Sequence, residues 1–260
     1  MKKIILTLMV AALAICGAAQ STTAKKTDWD ESGLKGKVKS VRKITYYAVE
    51  KFGEITKGEI PIFDNYLIKY DYKGHKIEST YYKSDGSLDS KYIYKYDNRG
   101  NLTEENIHNP DGSLRSKYIY KYDDRGDMTE FNIYDSNGML FTKFTYKYDD
   151  RGNKTEKNIH NPDGSLYGKE IYKYDARSNR IIETTMYNSD GSLGWKDTYK
   201  YDGRGNMTED NKYKSGGSLN RKATYKYKYD NKGNWIERIR YEGEANIAKE
   251  ITERTIEYYE

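Results

Sequence analysis

The chain has 260 residues, of which 33% are charged, and a mean hydropathy of −1.04. That composition is typical of disordered chains, but 29 tyrosines supply aromatic area and a strong preference for strands. The net charge of +5 is spread evenly along the chain without a polybasic cluster, so we expect no nucleic-acid partner.

The first 19 residues have the pattern of a secretory signal peptide. Lys2 and Lys3 form a basic start, residues 4–16 are almost purely apolar, and small residues at 17–19 precede Gln20. The apolar run is shorter than the roughly 20 residues that span a bilayer, so no membrane span is predicted. The mature chain is expected to be exported to the periplasm, the cell surface or the extracellular space.

Cys16 is the only cysteine, and lipidation at this residue is an alternative to simple removal of the signal peptide. Leu13, three residues before it, fits a lipoprotein signal, whereas the bulky Ile15 does not fit the small residue that such a signal requires. If the signal is removed before Gln20, the mature chain has no cysteine, which excludes disulfides and thiolate metal sites.

The rest of the chain divides by its pattern into four segments. Residues 20–35 are polar and are predicted to form a flexible lead-in. Residues 36–69 read as N-terminal capping strands, and residues 244–260 as a C-terminal capping strand. Between them, residues 70–243 are built from one repeated unit.

A Tyr-Asp pair recurs seven times at spacings of 26 to 28 residues, which predicts tandem repeats. The pairs begin at Tyr70, Tyr96, Tyr122, Tyr148, Tyr174, Tyr201 and Tyr229. Between turn signals the residues alternate with period two, as in Lys91 to Tyr96, which is the pattern of a strand with two distinguishable faces. Each repeat is therefore predicted to be a β-hairpin.

Every unit carries two turn signals, which we call the first turn and the second turn. The first turns follow the Tyr-Asp pair and close on a glycine, with Ser178 in that place once. The second turns mostly read Asp-Gly-Ser. Both patterns predict a type I turn followed by a left-handed glycine. First turns close on Gly74, Gly100, Gly126, Gly152, Gly205 and Gly233; second turns close on Gly86, Gly112, Gly138, Gly164, Gly191 and Gly217.

These turns predict a register for the strands. Pairing Asp97 with Asn101 places Tyr94 opposite Glu104, so a row of glutamates is expected on the tyrosine face. The extra residue at Ile181-Ile182 predicts a bulge inside a strand. About fourteen strands that slide by two residues per hairpin predict an all-β, coiled antiparallel meander sheet, either an open strip or barrel-like.

The segments "YDNRGNL", "YDDRGDM" and "YDGRGNM" resemble the YD repeat of the RHS family, over roughly residues 66–242. The "DGSL" of the second turn is similar to the MORN-variant repeat of bacterial surface and antitoxin-like proteins. The RHS resemblance implies a wound strip of hairpins and a binding role at the cell surface. RHS shells enclose a toxin, but a ring of about fourteen strands has a radius of only ~10–13 Å, so encapsulation is not carried over.

Neither metal nor cofactor binding is predicted. His108 and His160 occupy a repeat position that elsewhere holds tyrosine, which indicates packing, and zinc sites need three or four convergent ligands. An isolated turn offers two or three oxygens, too few for calcium. A glutamate recurs in all seven repeats, but equivalent glutamates share one environment, whereas catalytic carboxylates need different ones. The recurring glutamates are Glu78, Glu104, Glu130, Glu156, Glu183, Glu209 and Glu237.

We therefore predict a non-catalytic repeat protein that acts as a cell-envelope or secreted binding module for glycans or protein partners. The alternative is a carbohydrate-active hydrolase that uses an irregular repeat near Trp195 or Ile181. An outer-membrane barrel is disfavoured because neither face offers an apolar band. The candidate binding face comprises Tyr92, Tyr94, Tyr118, Tyr120, Tyr146, Tyr172, Trp195 and Tyr199.

Overall fold

The structure is a computed structural model that describes residues 27–61 and 65–260. The predicted signal peptide, Cys16 and most of the lead-in lie outside these residues. One short helix, α1 (Asp28–Glu31), precedes seventeen strands, so the all-β prediction is confirmed. No helix in the described part of the chain has the length and apolarity that a membrane crossing requires.

The strands follow one another at nearly regular intervals, as the repeat predicts. They are β1 (Val38–Lys51), β2 (Glu54–Lys57), β3 (Tyr66–Tyr70), β4 (Lys76–Tyr82), β5 (Leu88–Tyr96), β6 (Leu102–His108), β7 (Leu114–Tyr122), β8 (Met128–Asp135), β9 (Leu140–Tyr148), β10 (Lys154–His160), β11 (Leu166–Tyr174), β12 (Ile181–Asn188), β13 (Leu193–Tyr201), β14 (Met207–Lys214), β15 (Leu219–Tyr229), β16 (Trp235–Glu242) and β17 (Ile247–Tyr258).

The sheet closes on itself. From β3 to β17 each strand pairs antiparallel with the next, and β1 pairs with both β3 and β17. Strand β2 pairs only with the far end of β1, so sixteen strands form the barrel. The two segments predicted as caps therefore pair with each other, as at Val41 with Ile256 and Thr45 with Thr252.

Both turns have the predicted chemistry. In a first turn, the Asp97 N–H donates to the Asn101 carbonyl and the Gly100 N–H to the Asp97 carbonyl, with Gly100 at φ +78°. The carboxylate of Asp97 accepts the N–H groups of Arg99 and Asn101. This explains why an aspartate follows the tyrosine in every repeat, since it satisfies turn amides that have no other partner.

The predicted register is wrong by one residue. Tyr96 faces Leu102 as the turn requires, but the pairing then shifts, so that Lys95 faces Glu104 and Tyr94 faces Glu105. The extra residue is Thr103, whose hydroxyl donates to the Lys95 carbonyl. Bulges of this kind are not visible in turn glycines, and each moves the following side chains to the other face. The recurring glutamates therefore lie on the lysine face.

A bulge does lie at Ile181-Ile182, but it is the one that every hairpin has, and it does not hold the additional residue of this repeat. The extra residue lies in the preceding turn, where the Asp175 N–H donates to the Arg180 carbonyl and Asn179 has φ +52°. Ile181 pairs with Tyr174, and the register shift beside it matches that of the other hairpins. A longer turn absorbs one residue without disturbing either strand, and asparagine tolerates the left-handed conformation there.

Closure separates an inner face from an outer face. The lysine between the two tyrosines of each motif is exposed, as at Lys95 and Lys121, whose side chains are 61% exposed. The tyrosines instead bond to the wall, where Tyr94 donates to Ser79 and Tyr120 to Glu105. Helix α1 lies on the tyrosine side. The tyrosine face is therefore inside and the lysine face outside.

The motif tyrosine ties neighbouring strands together at the first-turn end. Pairing of β6 with β7 stops at Glu104 with Ile119, which leaves the Leu102 carbonyl beyond the ladder. The Tyr122 hydroxyl donates to that carbonyl at 2.9 Å. The same bond, always to a carbonyl 20 residues earlier, joins Tyr96 to Lys76, Tyr148 to Met128, Tyr174 to Lys154 and Tyr201 to Ile181. In the last repeat Tyr227, two residues before the motif tyrosine, makes this bond to Met207. We call these bonds the tyrosine clamps.

A small apolar core lies at the same end. Leu34, Val38, Val41 and Tyr70 are buried and pack together, and Trp29 of α1 covers them. The Trp29 indole N–H donates to the Val38 carbonyl at 2.9 Å. The N-terminal segment is thereby anchored to the first-turn end of the barrel.

Candidate functional site

All eight residues of the predicted binding face lie on the inner face of the barrel. The registers place Tyr92 beside Ile107 and Tyr94 beside Glu105, and they carry the same face around to Trp195 and Tyr199. Because the sheet is closed, these side chains line an interior and do not form one broad outer surface. A barrel of sixteen strands is wide enough to leave space inside its lining.

One half of the inner face is aromatic, and we call it the aromatic wall. Its rings contact one another from strand to strand, with centroids 4.7 Å apart for Tyr81 and Tyr92 and 5.3 Å for Phe131 and Phe144. Sequence reasoning missed the two phenylalanines because it followed tyrosines alone; their shared parity with Tyr118 and Tyr120 was the available signal. The wall comprises Tyr81, Tyr92, Tyr94, Tyr118, Tyr120, Phe131, Phe144 and Tyr146.

The other half, on β10 to β16, is charged, and we call it the charged wall. Lys157 and Glu170 form an ion pair at 3.2 Å, and Arg221 and Asp210 at 2.6 Å. Its members are Lys157, Glu170, Asp197, Asp210, Lys212, Arg221, Arg238 and Arg240. Lys157, Glu170 and Lys212 occupy the repeat positions that hold Phe131, Phe144 and Ile133 in the aromatic half. Glu105 on β6 is a charged residue within that aromatic half. The inner face thus changes from repeat to repeat while the outer face does not.

The tyrosine rings of the inner face lie along the wall. Their hydroxyls donate to the same or a neighbouring strand, as from Tyr94 to Ser79 and from Tyr225 to Asp210. Burial raises the pKa of Tyr94, and burial likewise raises the pKa of Glu105, which accepts from Tyr120. These bonds hold the rings against the wall.

Two carboxylates of the charged wall have different environments. Burial raises the pKa of Asp197, and its buried Oδ1 atom has no hydrogen-bond partner. Asp210 accepts from both Arg221 and the Tyr225 hydroxyl. Asp197 faces Lys212 and Asp210 faces Tyr199, so the two are diagonal neighbours, a relation that separates side chains by roughly 7–8 Å. Sequence reasoning considered the repeated glutamates and overlooked this pair.

The recurring glutamates have one common environment, as expected of equivalent positions. Glu104 lies between Lys95 and Lys117, and Glu130 between Lys121 and Lys143. A hydrogen bond from Lys95 lowers the pKa of Glu104 to about 2. These carboxylates lie on the outer face and remain ionised at neutral pH, so they provide ion pairs and no proton donor.

The N-terminal segment occupies the first-turn mouth. Asp28 accepts from the Tyr96 hydroxyl and from the Lys76 N–H, both at 2.9 Å. The negative charge of Glu31, after burial, contributes to a raised pKa of the Tyr122 hydroxyl, so α1 reaches a second clamp tyrosine. Beside the helix a cleft of about 520 Å³ is lined by His75 and Asp71, among others.

The histidines are separated in the structure. His75 lies in the first-turn cleft with its ring 4.8 Å from that of Tyr96. His108 and His160 lie on the outer face, opposite Lys91 and Lys143. Within residues 27–61 and 65–260, no three His, Cys, Asp or Glu side chains are arranged to hold a metal ion.

Comparison with known proteins shows the fold alone. No protein-family model matches the chain, and no curated protein matches it. A porin-like protein from Bacteroides uniformis is similar in structure, with a TM-score of 0.57 and 12% identity over 85% of this chain and 96% of that chain.

Two further solved structures have TM-scores too low to support an argument. One is a porin-like protein from Bacteroides vulgatus, at 0.41 with 13% identity over 86% of this chain and 99% of that one. The other is the TcdB2-TccC3-Cdc42 structure, at 0.26 with 14% identity over 80% of this chain and 15% of that chain.

Proposed function

We propose that this protein is an exported, non-catalytic barrel of the cell envelope or the extracellular space that binds a glycan chain along its inner face. The observation that carries the proposal is the contrast between repeats. Outer positions recur almost unchanged, whereas inner positions vary and form two different walls. A wall that served stability alone could repeat the same residues seven times.

The outer face supports a barrel that stands in water. In every repeat it presents lysines around a glutamate, and the motif lysines are 61% to 71% exposed from Lys95 to Lys228. Placing lysine on the lipid-facing side of a barrel costs about 2–4 kcal/mol per residue at the bilayer midplane. A belt of such residues is therefore suited to water, and export is supported by the signal-peptide pattern at residues 1–19.

The inner face supports a sugar ligand. Flat tyrosine and phenylalanine rings cover the apolar faces of pyranose rings, and the charged wall opposite supplies hydrogen-bond donors and acceptors for hydroxyl groups. The resemblance to YD repeats, proteins with binding roles at cell surfaces, fits the same proposal. A protein partner would instead need an exposed, continuous surface, which an inward-facing wall does not provide.

The test is isothermal titration of the purified protein with neutral oligosaccharides, followed by the double variant Tyr92→Ala/Tyr118→Ala. We expect saturable binding without turnover and a loss of affinity of roughly tenfold or more, as for other aromatic anchors. The matched control is Tyr134→Ala, which removes a tyrosine from the outer face. Binding that is insensitive to the inner variant, or no binding at all, would contradict the proposal.

A second candidate function rests on Asp197 and Asp210. Their environments differ, because Asp197 has a buried oxygen without a hydrogen-bond partner, whereas Asp210 accepts from Arg221 and Tyr225. Glycoside hydrolysis uses two carboxyl groups in different environments. Under this alternative the protein releases reducing sugar from a bound glycan, and Asp197→Asn abolishes the release while binding persists. Binding without any product decides in favour of the non-catalytic proposal.

A further inference from the structure

The outer face carries a second ordered surface that the interior does not explain. In five of the seven repeats an aromatic or histidine ring lies directly across from a lysine of the neighbouring strand. We call this row the lysine–aromatic track. The cross-strand pairs are His108 with Lys91, Tyr134 with Lys117, His160 with Lys143, Tyr187 with Lys169, and Tyr213 with Lys196.

The track presents net positive charge. In most repeats the outer glutamate contacts one lysine on each neighbouring strand, as Glu183 does with Lys173 and Lys196. Lysines therefore outnumber glutamates by two to one in these outer ion-pair groups. The Glu183 side chain is 19% exposed, whereas those two lysines are 66% and 39% exposed. Solvent therefore meets ammonium groups, and the carboxylates lie beneath them.

The geometry of the track is regular. Equivalent residues lie on alternate strands, about 10 Å apart across the strands. Each is also offset by two residues along the strand, because Tyr134 is level with Asn106 and not with His108, so successive rings lie roughly 12 Å apart in an oblique row. That spacing is on the order of the length of a disaccharide in an extended polysaccharide. Between Tyr187 and Tyr213 the track deepens into a cleft of about 390 Å³, which Lys173, Lys196 and Lys214 also line.

We propose that the outer track binds an acidic polysaccharide, a polymer with carboxylate or sulfate groups, that runs around the barrel across the strands. The tyrosine and histidine rings cover sugar faces, and the lysines contact the acidic groups. The Lys196 ammonium already lies 5.2 Å from the ring centroid of Tyr213, so ring and charge can reach one ligand together. An anionic lipid surface is flat and would not follow the curved row.

This inference goes beyond the proposed function, because it uses the opposite face of the sheet. It needs neither the aromatic wall nor access to the interior. Its ligand is anionic, whereas the interior proposal is tested with neutral oligosaccharides. Failure of one experiment therefore leaves the other standing.

The test uses polygalacturonate and its methyl-esterified form, which keeps the sugar chain and removes the charge. Binding of each to the purified protein is measured by titration at low and at high salt. We expect polygalacturonate to bind at low salt, to weaken as salt screens the lysines, and to bind at least tenfold more tightly than the ester. The double variant Tyr187→Ala/Tyr213→Ala should weaken binding at least about thirtyfold, because it removes two rings that stack on the sugar chain.

Two controls decide the assignment. The inner-face variant Tyr92→Ala/Tyr118→Ala must leave polygalacturonate binding unchanged, and single-stranded DNA and vesicles of anionic phospholipid must bind more weakly than polygalacturonate. Equal binding of all three polyanions, or binding that the track variant does not affect, overturns the proposal in favour of a general charge effect. Absence of polygalacturonate binding at low salt also overturns it.

Discussion

The two ends of the barrel are built from the same repeats but are stabilised differently. At the first-turn end, tyrosine clamps tie strands together and the N-terminal segment adds an apolar core with Val38 fully buried. At the second-turn end, each turn is held mainly by its own aspartate and serine, as Asp111 holds Ser113. Apolar side chains there are exposed, with Phe141 at 68% and Phe52 on the β1–β2 hairpin at 106%.

This difference shows that a repeat sequence does not impose uniform stability. The repeat supplies turns of the same type at both ends, but its tyrosine clamps lie at the first-turn end only. Residues outside the repeat, near α1 and β1, add an apolar core at that same end. We therefore expect substitutions to cost most at the first-turn end, where contacts between elements accumulate. Matched pairs of substitutions at the two ends measure that difference directly.

The largest effect is expected from apolar truncation. Val38→Ala removes buried methyl groups from the core and should lower the free energy of unfolding by roughly 2 kcal/mol, between the usual costs of Ile→Val and Leu→Ala. Leu219→Ala at the second-turn end truncates a side chain that is 50% exposed and should change it by less than about 0.5 kcal/mol. Urea midpoints measure both; equal losses would contradict the comparison.

The next largest effect concerns matched glycines. Gly74 and Gly86 have φ values of +91° and +83°, so alanine at either should cost about 1 kcal/mol or more in backbone strain. A Cβ at Gly74 would also lie 2.7 Å from the Trp29 ring, whereas at Gly86 nothing lies within 4 Å. Gly74→Ala should therefore lower the melting temperature clearly more than Gly86→Ala. Similar melting temperatures would show that α1 and its Trp29 ring can move aside without a loss of stability.

A smaller effect tests the tyrosine clamps. Tyr148→Phe removes the hydroxyl that donates to the Met128 carbonyl at 2.8 Å and should cost about 1 kcal/mol, because a carbonyl outside the ladder loses its partner. Tyr167→Phe, on a side chain that is 61% exposed at the second-turn end, is the control and should be neutral. Hydrogen exchange of strands β8 and β9, which this bond joins, should accelerate only in the first variant.

The smallest effect is expected from the ion pairs of the outer face. The hydrogen bond from Lys95 lowers the folded-state pKa of Glu104 from 4.5 to about 2, so its stabilisation is present above pH 4.5 and is lost as the pH falls toward 2. Because the lysines are exposed, this contribution should stay below about 1 kcal/mol and shrink in salt. Glu104→Gln should flatten the stability profile in that pH window, and an unchanged profile would contradict this prediction.

Several features of the fold were predictable because they depend on residues close together in sequence. The turn at Gly100 follows from one aspartate and one glycine within four residues, and the strands follow from alternation. The bulge at Thr103 was not predictable, because it depends on how two strands meet after the turn. That single residue moved Glu104 from the expected tyrosine face to the lysine face.

The candidate site also has a part that was predictable from the sequence and a part that was not. The eight inner aromatic residues were identified from their parity, which is a local property, and they do share a face. Phe131 was missed because it occupies a repeat position that elsewhere holds Glu105, Lys157 or Asp210. Its role depends on ring contacts with Tyr120 and Phe144 on neighbouring strands, and such contacts follow from register and not from motif.

By itself the amino-acid sequence determined the repeat period, the turn chemistry and the strand character, since each of these depends on dihedral preferences and hydrogen bonds within a few residues. Only the tertiary structure decided that the sheet closes, because closure depends on pairing between β1 and β17, some 200 residues apart. Closure in turn decided which face is inside. The evenly spread charge of the chain became a positive outer belt, and its tyrosines an inner wall.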